Sequence, residues 1–357
     1  MAATILDVAR LAKVSAGTVS RVLHKHPGVS DENRERVLDA IKTLDYSPRQ
    51  RKASMCDLNP LEDKNVLLLL LGMDPSLANL PVVTAAIDGI EQSLINLNAN
   101  LLIANLPTLD QFPEEFDRKR IDGVILKGAL QGDLAGQVNP ELVKRVQELP
   151  AVWVLGRPEG MTGDVVQVDD VRVGKLAAEH LISCGHRHLA FLSPKPSQVS
   201  IQRRQASFTF YAQQAGATVN SYLGNEQDWT FPSPAVDHCE WVDDLVERLL
   251  NTHPRPTAMF TPDDSTGTTV ARTLSARNLK AGEDISLMSC NNEQKILEKI
   301  QPSLTTIDVH AADIGCRAVD QLAWRIAHPA QPNVDISYEP TLVTGSSVAT
   351  LDHCAIA

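Results

Sequence analysis

The stretch Thr4–Leu23, TILDVARLAKVSAGTVSRVL, decides how one end of this 357-residue chain folds. Thr4 with Asp7 makes a capping-box-like start: the hydroxyl accepts a backbone N–H, and the aspartate lies in the first turn, where the helix dipole favours an anion. Ile5, Val8, Ala9 and Ala12 then fall at i, i+3, i+4 and i+7, which predicts a short amphipathic helix ending near Lys13. After a very tight connection, Ser15 can cap a second helix whose Val19, Val22 and Leu23 form an apolar face. Pro27 and Gly28 break the chain, Ser30 restarts it with Asp31 and Glu32, and Val37, Ile41 and Leu44 continue a third stripe. Three short helices with a tight first turn are consistent with a helix-turn-helix head, whose second helix enters the DNA major groove by its N-terminal end. Any small three-helix bundle shows the same spacing, so periodicity alone leaves that alternative open.

The charge distribution favours the DNA reading. Residues 1–58 hold ten Lys and Arg against seven Asp and Glu, a net of +3, although the whole chain carries −11. The remainder is therefore at −14, and a basic head on an acidic body is the pattern expected when only the head meets a polyanion. Hydrophobic residues at 43% and charged residues at 22% exclude a largely disordered or fibrous chain. The longest apolar run, Val66–Leu71, is far short of a membrane span, and Asp7, Arg10 and Lys13 interrupt any signal-peptide core, so a cytoplasmic protein with no membrane partner is expected. The six cysteines are scattered, with no CxxC and no metal spacing, which predicts free thiols and no metal site.

From Val66 onward, short apolar runs alternate with helical patterns. Val66–Leu71, Leu101–Ala104, Gly123–Leu126, Val152–Leu155, Leu189–Leu192, Ala258–Thr261 and Ile285–Ser289 fit buried parallel strands. Val82–Leu97, Val171–Cys184, Arg204–Ala215, Val242–Leu250 and Ser265–Arg277 carry helical spacing. Repeated β-α units predict an α/β body with doubly wound parallel sheets, long enough for two lobes and a cleft. Such a cleft suits an enzyme as well as a binder, but GxGxxG, GxxxxGK[ST] and GxSxG are all absent. His180, His186 and His188 lie close together, yet Gly185-His186-Arg187 follows a helix end, which favours a C-terminal cap over a metal site. Pro262-Asp263-Asp264 pairs two acids after a strand, and a helix N-terminus is the better reading for Asp264.

Thr4-Ile-Leu-Asp7-Val8-Ala9, Val14-Ser15, Thr18-Val19-Ser20-Arg21-Val22-Leu23, Val29-Ser30 and Tyr46-Ser47-Pro48, in that order and register, closely resemble the head of the LacI/GalR family of bacterial repressors. The resemblance continues through Asp88-Gly89-Ile90-Glu91, Ile121-Asp122-Gly123-Val124-Ile125, Val168-Asp169-Asp170, Gly185-His186-Arg187 and Pro302-Ser303-Leu304-Thr305-Thr306-Ile307, which look like the family's effector-binding core, itself similar to periplasmic sugar-binding proteins. It implies a head at 1–48, a hinge and linker at 49–64, a two-lobed effector-binding and dimerisation domain at 65–345 and a tail at 346–357. The function it implies is a cofactor-free, dimeric transcriptional regulator of double-stranded operator DNA, a repressor controlled by a small polar effector, a sugar or sugar derivative. The competing reading is a sugar-binding or sugar-modifying enzyme with a fused head, and turnover of candidate sugars separates the two.

Roles at individual positions also follow from the resemblance. Ala16 and Gly17 occupy the two positions that vary with operator sequence, and Arg21 reaches a base edge one turn further on. Ser15, Thr18 and Ser20 hold phosphates and set register, with Thr4 and Ser30 completing the DNA-facing set. In the hinge, Met55 stands at the minor-groove wedge position, while Arg51-Lys52 depart from the small or apolar residues usual there. The effector set is Gln198, Ser200, Arg204, Trp229, Asp263 and Asn291. Arg204, placed at a helix start, forks ring hydroxyls, and Trp229 stacks on a saccharide face. Departures are Ser289-Cys290-Asn291 for the usual Gly-Phe/Tyr-Asp, Ser207 for a common Gly and Gly345 for a frequent Arg. Asn291 in place of Asp removes a negative charge and admits a neutral or phosphorylated sugar.

Overall fold

In the computed structural model, residues 5–23, 30–44, 59–74, 80–130, 134–225 and 238–351 are described. The chain divides into two compact units, Met1–Asn59 and Pro60–Ala357. The first unit holds α1 (Ile5–Ala12), α2 (Ala16–Leu23) and α3 (Asp31–Thr43). Val8, Ala9, Ala12, Val19, Val22, Val37 and Ala40 form its core, all but Ala40 drawn from the stripes that the spacing predicts, with the predicted Ile41 and Leu44 partly buried against it. Arg36 ties α3 to the end of α1 by donating to the Ala12 carbonyl at 2.6 Å, which satisfies one of the open carbonyls at a helix C-terminus.

The second unit begins with Pro60, and Leu61 is fully buried in its core. Residues 60–64 therefore belong to the body and not to the expected linker at 49–64. The strands of the first lobe are β1 (Asn65–Leu71), β2 (Asn100–Leu106), β3 (Gly123–Gly128), β4 (Ala151–Val154), β5 (Asp164–Val168) and β11 (Asp335–Tyr338). They form a six-stranded parallel sheet in the order β11-β5-β4-β3-β1-β2. The long helices of this lobe are α4 (Pro81–Asn96), α5 (Pro140–Gln147) and, from late in the chain, α10 (Ala311–Ala327). The second lobe has strands β6 (His188–Ser193), β7 (Thr218–Leu223), β8 (Ala258–Phe260) and β9 (Ser286–Met288), in a parallel sheet of order β7-β6-β8-β9. Its helices are α6 (Asp170–Ser183), α7 (Val199–Gln214), α8 (His238–Leu250) and α9 (Asp264–Ala276).

All seven expected apolar runs are strands. Each sheet buries both faces: one cluster links Leu68 and Val166 of the first sheet with Phe191 and Phe260 of the second, and separate clusters cover the far faces. The chain crosses between lobes after β5, after β9 and again after β11. On the last crossing β12 (Thr341–Val343) pairs antiparallel with β10 (Thr306–Asp308). The expected tail at 346–357 does not begin at 346. The Ser347 hydroxyl donates to the Leu287 carbonyl at 2.6 Å and accepts from the Thr305 N–H at 2.8 Å, and the Leu351 N–H donates to the Cys184 carbonyl at 2.8 Å. Residues up to 351 are thus part of the second lobe.

Two close helix approaches set the spacing within the body. A Cβ on Gly89 would stand 2.1 Å from the Ala312 carbonyl oxygen, and one on Gly315 2.0 Å from that of Ala86, so α4 and α10 meet backbone to backbone. Asp164 of β5, fully buried, accepts from Gln321 (2.7 Å), from Arg325 Nε (2.9 Å) and Nη2 (2.5 Å), and from the Val334 N–H (2.9 Å). Burial would raise its pKa, but the Arg325, Gln321 and Val334 bonds outweigh it and hold the carboxyl below its ordinary value.

Candidate functional site

The strands of both sheets run parallel, so their carboxyl ends open onto one cleft, the usual ligand position in open α/β sheets. Lys127 lies at the end of β3, Leu155 and Gly156 follow β4, and Val168 closes β5; Lys195 follows β6, Pro262 and Asp263 follow β8, and Asn291 follows β9. All line this cleft, together with Gln198, Ser200 and Arg204 of the α7 region. The structure therefore brings together five of the six expected effector residues: Gln198, Ser200, Arg204, Asp263 and Asn291. The sixth, Trp229, lies outside the described residues.

Arg204 differs from its expected placement. Helix α7 begins at Val199, with Gln198 at the N-cap, so Arg204 stands in the second turn and not at the helix start. The buried guanidinium is already engaged: Nε donates to Asp170 Oδ1 (2.8 Å), and Nη1 donates to the Pro262 carbonyl (2.6 Å), Asn291 Oδ1 (3.1 Å) and Cys290 Sγ (3.4 Å). Burial opposes its charge, yet Cys290, Asp170 and Asp263 outweigh that and raise its pKa further. Arg204 thus locks α6, the β8 and β9 loops and α7 to one another, leaving Nη2 without a bond among the described residues.

The acids sort by environment. Asp263 caps α9, Oδ1 accepting from the Thr266 N–H (2.7 Å) and Oδ2 from its hydroxyl (3.1 Å). Asp264, expected as the helix-terminus acid, is fully buried and accepts from the Ser289 and Thr306 hydroxyls (2.5 and 2.8 Å) and the Glu293 N–H (2.7 Å). Burial pushes its pKa up to about 6. Ser289, the departure from Gly, therefore serves this buried carboxyl. Asn291 holds φ 106°, a region that Asn adopts more readily than most residues. Ser207 sits against Gly174, where a Cβ would lie 2.0 Å from its hydroxyl, and Gly345 lies where a Cβ would stand 2.4 Å from the Ser303 carbonyl oxygen. Packing accounts for the Gly345 departure, while the Ser207 hydroxyl is accommodated by the absence of a side chain at Gly174.

Sequence reasoning did not assign Lys127, Arg157, Asp170, Lys195, Arg203 or Glu293 to the cleft, and two of these, Lys127 and Glu293, are buried with no ion pair among the described residues. Lys127, 8% exposed, donates to the Gly128 carbonyl at 2.5 Å, and burial lowers its pKa to about 8. Glu293, also 8% exposed, accepts from Asn291 Nδ2 at 3.3 Å on Oε1, while its buried Oε2 has no partner among the described residues. Burial, then Asp263 and Asp264, raise its pKa to about 8 against the opposing Asn291 and Val82 N–H bonds. The available signal was Lys127 itself, a lysine at the end of an otherwise apolar strand. His186 is buried in a structural role, bonded to the Thr257 hydroxyl (2.9 Å) and the Ala349 carbonyl (3.0 Å). Among the described residues no His, Cys, Asp and Glu cluster could hold a metal, Cys184, Cys290 and Cys316 are free thiols, and no helix is long and apolar enough to cross a membrane.

In the head, the Ser15 hydroxyl accepts from the Thr18 N–H at 3.1 Å and lies 2.9 Å from the Thr18 hydroxyl, capping α2 as expected. Ser15 and Gly17 are exposed at this helix start. Ser30 is the N-cap of α3 by backbone geometry, but its exposed side chain makes no cap bond. Thr4 and Met55 fall outside the described residues, as do the side chains of Ala16, Ser20 and Arg21.

Residues 4–49 match the family model of bacterial regulatory proteins of the lacI family, and residues 178–348 match a periplasmic binding protein-like domain. The chain belongs to the LacI family. This LacI-family chain is a DNA-binding transcriptional regulator and not an enzyme. It is 28% identical over 350 residues to the transcriptional repressor PurR of Mannheimia succiniciproducens, covering 97% of this chain and 98% of that one. It is 27% identical to the ribose operon repressor of Haemophilus influenzae, covering 98% and 99%. Solved structures of the same fold include the regulator CelR in complex with cellobiose (TM-score 0.62, 23% identity, 97% and 99% covered). The lac repressor dimer bound to operator and the anti-inducer ONPF is another (TM-score 0.63, 20% identity, 98% and 100% covered).

Proposed function

We propose that this regulator is a cytoplasmic homodimer whose operator affinity is set by a small polar effector, a sugar or sugar derivative, held between the two lobes. The observation that carries the reading is the cleft itself, lined from both lobes at the carboxyl ends of two parallel sheets, with Gln198, Ser200, Arg204, Asp263 and Asn291 converging on it. A ligand that bonds groups of both lobes favours their closed arrangement, and that differential affinity is the free energy available to control DNA binding. Trp229 completes the effector set by stacking on an apolar sugar face.

DNA recognition belongs to residues 1–48, with Ala16, Gly17 and Arg21 reading bases and Thr4, Ser15, Thr18, Ser20 and Ser30 holding the backbone. The exposed start of α2 and the uncommitted Ser30 side chain support this. Met55 is the minor-groove wedge of the hinge. Ile95 on α4, Ile103 on the edge strand β2 and Phe210 on α7 stand more than half exposed, apolar surface available to a second copy. A thermal-shift screen of sugars and phosphosugars, followed by fluorescence-anisotropy binding to duplexes selected from a random library, tests the reading. A ligand that stabilises the protein and changes operator affinity is the expected result. Stabilising ligands that leave DNA affinity untouched, together with turnover of a sugar, would refute it.

A further inference from the structure

The cleft carries more positive charge than its own acids offset. Five cations line it: Lys127, Arg157, Lys195, Arg203 and Arg204. Two are matched within the protein, Arg204 by Asp170 at 2.8 Å and Arg157 by Asp335 at 3.0 Å. Lys127, Lys195 and Arg203 have no ion pair among the described residues. Against them stand Asp263, whose two oxygens are taken up by Thr266, and Glu293.

Lys127 is the decisive member. An ammonium buried at the end of a strand whose six residues are all buried loses much of its hydration and recovers only the bond to Gly128. A buried charge without a counter-charge is costly in a resting protein but becomes favourable when a ligand supplies the partner. Glu293 gives an independent sign of an absent partner, since its Oε2 is buried and has no hydrogen bond among the described residues. Asp263 and Asp264 face it from the start of α9 and the Val82 N–H from the start of α4, and with a pKa of about 8 it is protonated near neutrality. It then adds no negative charge to the cleft and presents an O–H.

We propose that the effector is an anion, a small polar metabolite bearing a phosphate or a carboxylate, whose charge is held by Lys127 of the first lobe and Lys195 and Arg203 of the second, with Glu293 donating to a ligand oxygen. This rests on the effector reading of the cleft and narrows its ligand class. A neutral ligand would leave all three cations unmatched, and a cationic one would add to them.

The test uses the full chain and probes of defined charge. Sodium sulfate and inorganic phosphate are titrated against sodium chloride at equal ionic strength, and glucose, glucose 6-phosphate and gluconate are compared, with the thermal midpoint and calorimetric affinity as readouts. Sulfate and phosphate are expected to stabilise the protein beyond chloride, and one of the two anionic sugars to act more strongly than glucose, the stronger one identifying phosphate or carboxylate. Lys127→Met, which replaces a buried charge by an apolar chain of similar length, and Lys195→Gln, at a half-buried position, should each weaken the anion effect. Sulfate keeps its charge between pH 7 and pH 9, whereas Lys127 loses its proton and Glu293 becomes an anion, so sulfate affinity should fall about tenfold over that range. Glu293→Gln should reduce that fall. Anions that act no more than chloride, or an anion effect unchanged in both lysine variants, would overturn the proposal. Glucose acting more strongly than both anionic sugars, and altering operator binding, would overturn the anionic assignment and leave the cleft as the effector site.

Discussion

Replacing Arg204 by Met tests whether this side chain is a ligand contact alone or a structural tie as well. The change removes the bonds to Asp170, Pro262, Asn291 and Cys290 at 2.6–3.4 Å, and strands the Asp170 carboxylate at 8% exposure. Breaking one partner out of a buried pair costs about 3–5 kcal/mol. Asp170 is also the first residue of α6, where the helix dipole returns about 0.5–1 kcal/mol to an anion, so a net loss of about 2–4 kcal/mol is expected. The assay is urea unfolding of the body, followed by circular dichroism, for wild type, Arg204→Met, Asp170→Asn and the double variant. Because Asp170→Asn removes the stranded charge, the double variant should fall short of the sum of the singles by about 1–3 kcal/mol. A loss below about 1 kcal/mol in Arg204→Met, or additive singles, would refute the argument. A lost ligand response in Arg204→Met would then have two causes, and only stability measured beside it separates them.

Further outcomes can be checked in parallel. Asp164→Asn should lower body stability at neutral pH and flatten its acid dependence. The depressed Asp164 pKa contributes stability present above the unfolded value near 4 and lost as pH falls through the folded one, so a wild-type-like acid limb in the variant would contradict the network. Gly315→Ala and Gly89→Ala should each destabilise the body by about 1–3 kcal/mol, since the new methyl meets backbone and not a movable side chain; unchanged thermal midpoints would contradict the close approach. Arg21→Ala should cost about 1–3 kcal/mol on selected operator DNA and much less on random duplex, and equal losses on both would make it a phosphate contact. Met55→Gly should weaken specific binding while sparing nonspecific affinity, as expected of a wedge that permits a bend; parallel losses would contradict this.

The elements were legible because their signals are local. Period-3.6 stripes of Val8, Ala12, Val19, Val22 and Val37 specify the three head helices and supply their shared core, and all seven apolar runs became strands. β5, β7 and β11 escaped notice because polar positions such as Gln167, Asn220 and Ser337 interrupt their apolar runs, and β10 and β12 are only three residues each. Helix α10 was not among the expected helices although Ala311, Ile314, Ala318 and Leu322 form a buried stripe at helical spacing, and its Gly315 serves backbone contact with α4. Family motifs carried five cleft residues to their places, because motif positions at strand ends travel with the strands. Charge balance in the cleft could not be read in the same way. Asp170 and Arg204 are 34 positions apart and Arg157 and Asp335 are 178 apart, and only the packed lobes show which cations are matched. Lys127 stands out in sequence only as a lysine at the end of an apolar strand, and Glu293 looks like an ordinary surface residue. Their pKa values depend on dehydration, and dehydration is a property of everything packed around a group, so the tertiary structure alone decided that two distant polar residues became a buried ammonium and an orphaned carboxyl in one cleft.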